Sequence, residues 1–368
     1  MNKSINNLLY KLNKFQWENY MEDKHHDLNL ICNEIYDYLS HLGCSSDLSK
    51  SELRRLVEYE PSVSTLRNKI DDSYNNGFKD DIKEDVLSLM EVRNKVSKKL
   101  GFKDYIDLVM CCEDLDFEIL KSLIDDYIEK NLNHAKELIN KYDLTWGNWF
   151  LNLKNIGPID LKDIDSLIDK FLEKFGFKEV LSKIKIAYDK DMGYSTKISP
   201  DDIMICARKP NSIFDLGTLF HELGHGILYY YASEEDDDSF FNITTSFDEF
   251  FAVLMENLAL LTMFPRDVSE KMKDIVDLEY MRTAISASFE FDLWNFNEDP
   301  EKLYAEHYSK LGIKQDNLRP WYKDSFRSLD SMYIHNYTLG QITAEKIIYK
   351  NYNNDCLEFG SYLKNICR

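Results

Sequence analysis

The chain is short of positive charge, of long apolar runs and of any cysteine pattern, and each shortage excludes a class of protein. Lys and Arg number 45 against 65 Asp and Glu, a formal net charge of −20 over 368 residues. Nucleic acid and anionic membranes both recruit Lys and Arg, so neither is an expected partner. No stretch approaches the roughly 18 uninterrupted apolar residues that would cross a bilayer. The cysteines (Cys32, Cys44, Cys111, Cys112, Cys206, Cys356 and Cys367) are odd in number, and no two are spaced CxxC. A charged n-region and apolar h-region are missing at the start as well. The expectation is a cytoplasmic protein with reduced, structural thiols. Internal repeats, low-complexity tracts and flexible linkers are also lacking.

What the chain does contain is a packed, mostly helical pattern. Hydrophobic residues make up 44%, with 21 Phe and 23 Tyr to fill a core, a composition of globular rather than disordered proteins. Amphipathic spacing predicts helices over 3–22, 25–43, 80–99, 102–112, 114–140, 162–175, 177–188, 269–290 and 299–313. Pro61 and Gly157-Pro158 interrupt this array, and 314–332, with Pro320 and Trp321, reads as irregular. Between Met192 and Pro210 the character changes: turn residues flank Ile203-Met204-Ile205-Cys206-Ala207, a short run suited to a strand. That strand is either half of a structural hairpin or an edge open to an extended peptide.

Directly after it comes His221-Glu222-Leu223-Gly224-His225, inside an apolar run whose Ile213, Leu216, Phe220, Leu223 and Ile227 recur at helical steps. Residues four apart on a helix share a face, so both imidazoles can bind one Zn²⁺ with Glu222 beside them. Gly224 and Gly226 cost up to about 1 kcal/mol each in a helix interior, which implies close approach of backbone or substrate there. A catalytic zinc needs a third protein ligand and an open position for water. Glu249, which opens another helical stretch, is the favoured candidate; Asp248 competes for the role, and Ser246 with Glu249 also spells a capping box. Glu256, two turns further on, is placed either to brace a ligating imidazole or to serve as a buried structural carboxylate. The acidic run Glu234 to Asp238 is a solvated loop or a device favouring basic peptides.

These residues resemble the gluzincin metallopeptidases of the thimet oligopeptidase and oligoendopeptidase F family, with angiotensin-converting enzyme and the thermostable zinc carboxypeptidases as relatives. The resemblance implies that His221, His225 and Glu249 bind one Zn²⁺ per chain, that Glu222 is the general base, and that Glu256 supports the ligands. Tyr333-Ile334-His335-Asn336-Tyr337-Thr338-Leu339-Gly340 resembles the family's tyrosine segment, which implies an oxyanion donor at Tyr337 or, second, Tyr333. His335 is a possible substrate contact. Arg93-Asn94, Leu100-Gly101-Phe102 and Tyr105 resemble a further family segment, so the likeness runs from about Leu89 to Lys350. The chain departs from the family where Arg327-Ser328-Leu329-Asp330 replaces a frequent histidine, and where Leu228 or Tyr229 replaces another. It is also shorter than family members.

The implied fold is mainly α: two helical lobes around a deep substrate channel, with a small β hairpin or edge strand before the zinc helix. The expected division is a helical lobe over 1–190 and a catalytic zinc-binding lobe over 191–368, forming one peptidase unit. The implied activity is hydrolysis of peptide bonds in short, unstructured peptides. The alternatives are a zinc carboxypeptidase and a non-catalytic zinc-containing peptide-binding protein. The oligomeric state is left open.

Overall fold

The computed structural model describes residues 3–22, 24–42, 48–77, 81–158, 163–189, 193–235, 240–295, 297–313 and 319–367. Helices α1 (Lys3–Met21), α2 (Leu28–Ser40), α3 (Lys50–Glu58), α4 (Pro61–Asn75), α5 (Lys83–Lys99), α6 (Tyr105–Glu113), α7 (Phe117–Lys141), α8 (Trp149–Asn155) and α9 (Ile164–Phe175) come first. Strands β1 (Ile184–Asp189), β2 (Tyr194–Ser199) and β3 (Asp202–Arg208) follow. Then come α10 (Ile213–Glu235), α11 (Thr245–Thr262), α12 (Arg266–Leu293), α13 (Pro300–Ser309), α14 (Ser325–Ser328), α15 (His335–Asn351) and α16 (Cys356–Ile366). The fold is mainly α with one small sheet. None of the described helices is long and apolar enough to cross a membrane.

Two expectations about local structure are corrected. Residues 177–188 do not form a helix: a single 3₁₀ turn at Lys178–Ser182 gives way to β1. Ile184 and Ile186 alternate with Lys185 and pair in parallel with Ile203 and Ile205 of β3, and that pairing, distant in sequence, overrides the helical reading. Pro61 starts α4 rather than breaking a helix; at the first position its missing N–H is no loss.

The sheet order is β1-β3-β2, with β2 antiparallel to β3. The hairpin alternative is therefore the one realised. The run Ile203 to Ala207 lies in the central strand, bonded on both sides, so it offers no edge to a peptide. Both outer strands have one unpaired side within the sheet.

The chain forms two compact units, and they do not divide it at residue 190. The first comprises Met1–His26, Phe150–Glu279 and Leu339–Arg368; the second comprises Asp27–Trp149 and Tyr280–Thr338. In the first unit α10 packs along α11 and over β3. Phe171, Phe220, Leu223, Ile227, Val253, Leu254 and Met255 are buried there, each burial contributing about 1.5–3 kcal/mol before entropy is charged.

The second unit is built on α2 to α7 and carries a buried charge cluster. Arg93 donates to Glu58 Oε1 at 3.0 Å and Oε2 at 2.6 Å, to Ser331 Oγ at 3.0 Å and to the Leu329 carbonyl at 2.7 Å. Tyr105 donates to Glu58 at 2.7 Å, and Asn94 Oδ1 accepts from the Tyr105 amide at 2.8 Å. The Arg93-Asn94 and Tyr105 segments singled out in the sequence are thus parts of one structural network.

Candidate metal centre

Helix α10 starts at a local signal. Ser212 accepts from the Asp215 amide at 3.1 Å and donates to Asp215 Oδ2 at 2.7 Å, a cap worth about 1 kcal/mol. Two turns later the helix presents His221, Glu222 and His225, all with little exposure. The imidazole centroids lie 4.9 Å apart and nearly perpendicular.

The partner helix α11 begins at Thr244, which accepts from the Phe247 amide. The capping box suggested by Ser246 and Glu249 is not what forms. Thr244 takes the cap, which puts Ser246 inside the first turn and frees the Glu249 carboxylate. Glu249 is buried, with Oε2 3.2 Å from His221 Nε2 and Oε1 3.9 Å from His225 Nε2. Asp248 is not among the three clustered donors. About 100° further round the helix, it reaches the opposite nitrogen of His225, with Oδ1 2.5 Å from Nδ1. Glu256 Oε2 lies 3.9 Å from His221 Nδ1.

Helices α10 and α11 approach closely because their contact is glycine-lined. A Cβ on Gly224 would sit 2.7 Å from the Ala252 Cα of α11, and one on Gly217 would sit 2.7 Å from Glu256 Oε1. On the other face a Cβ on Gly226 would sit 2.6 Å from Ile205 of β3. The paired glycines admit backbone and sheet.

Sequence reasoning missed the contributions from β2 and from the end of α10. Ser195 donates to Glu222 Oε2 at 2.6 Å, and the bare backbone of Gly193 packs against the same carboxyl. Tyr229 donates to Asp248 Oδ2 at 2.7 Å. Lys197 Nζ lies 4.9 Å from the centre of the Tyr229 ring.

These contacts set the charge states. Burial raises the proton affinity of Glu222, although His225 and His221 act the other way. Burial disfavours charge on His225, but Asp248 outweighs it and carries the imidazole up to about 10. His221 is likewise raised, with Glu249 outweighing burial. Asp248 is lowered: burial opposes its charge and His225 overcomes that.

The donor set fits a divalent ion. One ligand atom each from His221, His225 and Glu249 lie within 4.8 Å of one another. Donors about 2.0–2.1 Å from a tetrahedral zinc lie roughly 3.3 Å apart, close to the 3.2 Å between Glu249 Oε2 and His221 Nε2, while the other oxygen, Oε1, lies 3.9 Å from His225 Nε2. With Nδ1 of His225 committed to a carboxylate, its Nε2 is the atom left to coordinate.

The fold as a whole has counterparts among solved structures. PZ peptidase A with an inhibitor aligns over 97% of this chain and 80% of its own length, with TM-score 0.67 and 17% identity. The M32 carboxypeptidase of Deinococcus radiodurans aligns over 98% and 89%, with TM-score 0.65 and 12% identity. A Bacillus anthracis structure described as an oligoendopeptidase F aligns over 92% and 76%, with TM-score 0.61 and 17% identity. The chain has the fold shared by oligoendopeptidase F and the M32 carboxypeptidases. No family model and no curated protein sequence matches it; the kinship is in the fold.

The remaining predicted site residues belong to the second unit. Tyr333 and Tyr337 are half-buried, with ring centroids 5.8 Å apart and Phe326 packed on both. His335 is fully buried against Phe291, and burial lowers it to about 3. A ring with no surface cannot touch a substrate, which removes the contact expected of it. Asp236, Asp237 and Asp238 of the acidic run lie outside the described residues. Glu234 pairs with Lys183 at 2.6 Å.

Proposed function

We propose that the chain hydrolyses peptide bonds in short, unstructured peptides, using one zinc ion held by His221, His225 and Glu249. The observation that supports this most directly is the convergence of three donors, His225 and Glu249 buried and His221 partly so, from two helices beside the carboxyl of Glu222. Bound there, zinc would supply Lewis-acid polarisation of the scissile carbonyl and would acidify water. Glu222 takes the proton of the attacking water and passes it to the leaving amine, work suited to a carboxyl whose proton affinity is raised. Ser195 holds the Glu222 side chain in one orientation. Asp248 and Glu256 orient the two imidazoles. On the sequence resemblance alone, Tyr337 or else Tyr333 donates to the oxyanion, a contact worth roughly 10²–10³ in rate.

A second reading is stepwise removal of residues from the C-terminus, since the M32 carboxypeptidase shares the fold as fully as the other two structures do. Mass spectrometry of a peptide digest separates the two, since internal cuts and a one-residue ladder leave different products. The test of the shared chemistry is Glu222→Gln. It should keep the zinc and lose roughly 10²–10⁴ of turnover, and activity near the wild-type level would refute the role. Stoichiometric zinc and peptide affinity with no cleavage by wild type would instead favour a non-catalytic peptide-binding protein.

A further inference from the structure

Beyond the ligands, a chain of contacts runs from the sheet to His225. Both oxygens of Asp248 are committed: Oδ1 to His225 Nδ1 at 2.5 Å and Oδ2 to the Tyr229 hydroxyl at 2.7 Å. A carboxylate held at both oxygens cannot rotate, so the imidazole plane that depends on it is fixed as well. Tyr229 is itself held. It lies one turn beyond His225, its ring stacked at 6.1 Å and 24° from the imidazole, and it is buried.

On β2, Lys197 places its ammonium 4.9 Å from the centre of that ring and donates to the Phe240 carbonyl at 2.6 Å. The backbone of Lys197 is tied in turn: its carbonyl accepts from Asn13 at 2.7 Å, and it pairs with Ile203 of β3. The cation–π contact draws on the quadrupole of the ring. It also brings positive charge to a site where Glu222, Asp248, Glu249 and Glu256 gather.

We propose that Lys197 and Tyr229 are positioning residues for the metal centre, transmitting the rigidity of the sheet through Asp248 to His225 and so setting how tightly the ion is held. The proposal deepens the metalloenzyme reading and depends on it. Neither residue is among the three clustered donors.

The test measures Zn²⁺ affinity by competition with a chromophoric chelator, and the rate of zinc loss to excess chelator, in wild type, Y229F, K197M and K197R. Thermal unfolding of the metal-free forms serves as the control for folding. Y229F removes only the hydroxyl and should weaken Zn²⁺ binding roughly tenfold, within the 10–100-fold range of such outer contacts. K197M should weaken binding and speed release by several-fold to tenfold, and K197R, which keeps charge and stacking, should restore most of it. The metal-free forms should unfold at the wild-type temperature. Wild-type affinity and release rate in both Y229F and K197M would overturn the proposal. So would affinity losses matched by equal losses of metal-free stability, because the pair would then only hold the fold together. Failure of wild type to bind Zn²⁺ at all would instead refute the metal reading beneath it.

Discussion

Both units bury charge, but they complete it differently. In the second unit Glu58 faces guanidiniums: Arg93 at 2.6 Å and Arg67 at 3.0 Å, with Arg54 contributing through space. Acids and bases there neutralise one another and tie α3, α4 and α5 to the segment at 329–331. In the first unit three carboxylates, Asp248, Glu249 and Glu256, gather on two imidazoles, which carry charge only when protonated. A self-neutralised cluster is a structural device. A cluster of acids and imidazoles that share donor geometry is a site for a cation.

Matched substitutions in the two clusters should therefore behave in opposite ways. Arg93→Met leaves Glu58 buried and under-compensated and should cost about 3–5 kcal/mol of stability, read by chemical denaturation. Glu249→Gln removes an acid from an acid-rich site. It should leave the metal-free protein as stable as wild type or slightly more so, while Zn²⁺ binding falls at least about 100-fold. A metal-free Glu249→Gln protein as damaged as Arg93→Met would erase the distinction.

Acid titration probes the same contrast. Burial works against the Glu58 charge, yet Arg93 and Arg67 prevail and hold the carboxyl at about 2, down from 4.5. Because the folded value is depressed, its stabilising contribution, about 3 kcal/mol, is complete above pH 4.5 and is lost as pH falls toward 2. Stability measured across that window should fall less steeply in Glu58→Gln than in wild type.

Two finer tests address the metal centre alone. Gly224→Ala forces a methyl against the α11 backbone. It should cost about 1–3 kcal/mol and loosen zinc together with stability, whereas an unchanged melting temperature would mean that the helices are not in register through this glycine. Smallest is Ser195→Ala, which releases Glu222 Oε2 from a hydrogen bond worth about 0.5–1.5 kcal/mol. Steady-state kinetics should show kcat down by several-fold with zinc content intact, and an unchanged kcat would show that Ser195 does not hold the base.

What was legible in the sequence follows from distance along the chain. His221, Glu222 and His225 could be read because helix geometry alone places them on one face. Glu249 could be read because it opens the next amphipathic helix. The partner of His225 could not. Asp248 and Glu249 are adjacent acids, and only the angle at which α11 crosses α10 decides which meets Nε2 and which meets Nδ1. Ser195 and Lys197 carry no local signal, since β2 reaches the site by pairing with β3. Likewise, 184–189 became a strand only because β3 lay alongside.

The sequence by itself determined the helical character of the chain, the histidine pair and the carboxyl of Glu222 beside it, because these depend on periods of a few residues. Tertiary structure alone decided the contacts of Asp248, Tyr229, Lys197 and Ser195 and the division into units. Each of these depends on where separate segments come to rest, and local periodicity carries no information about that.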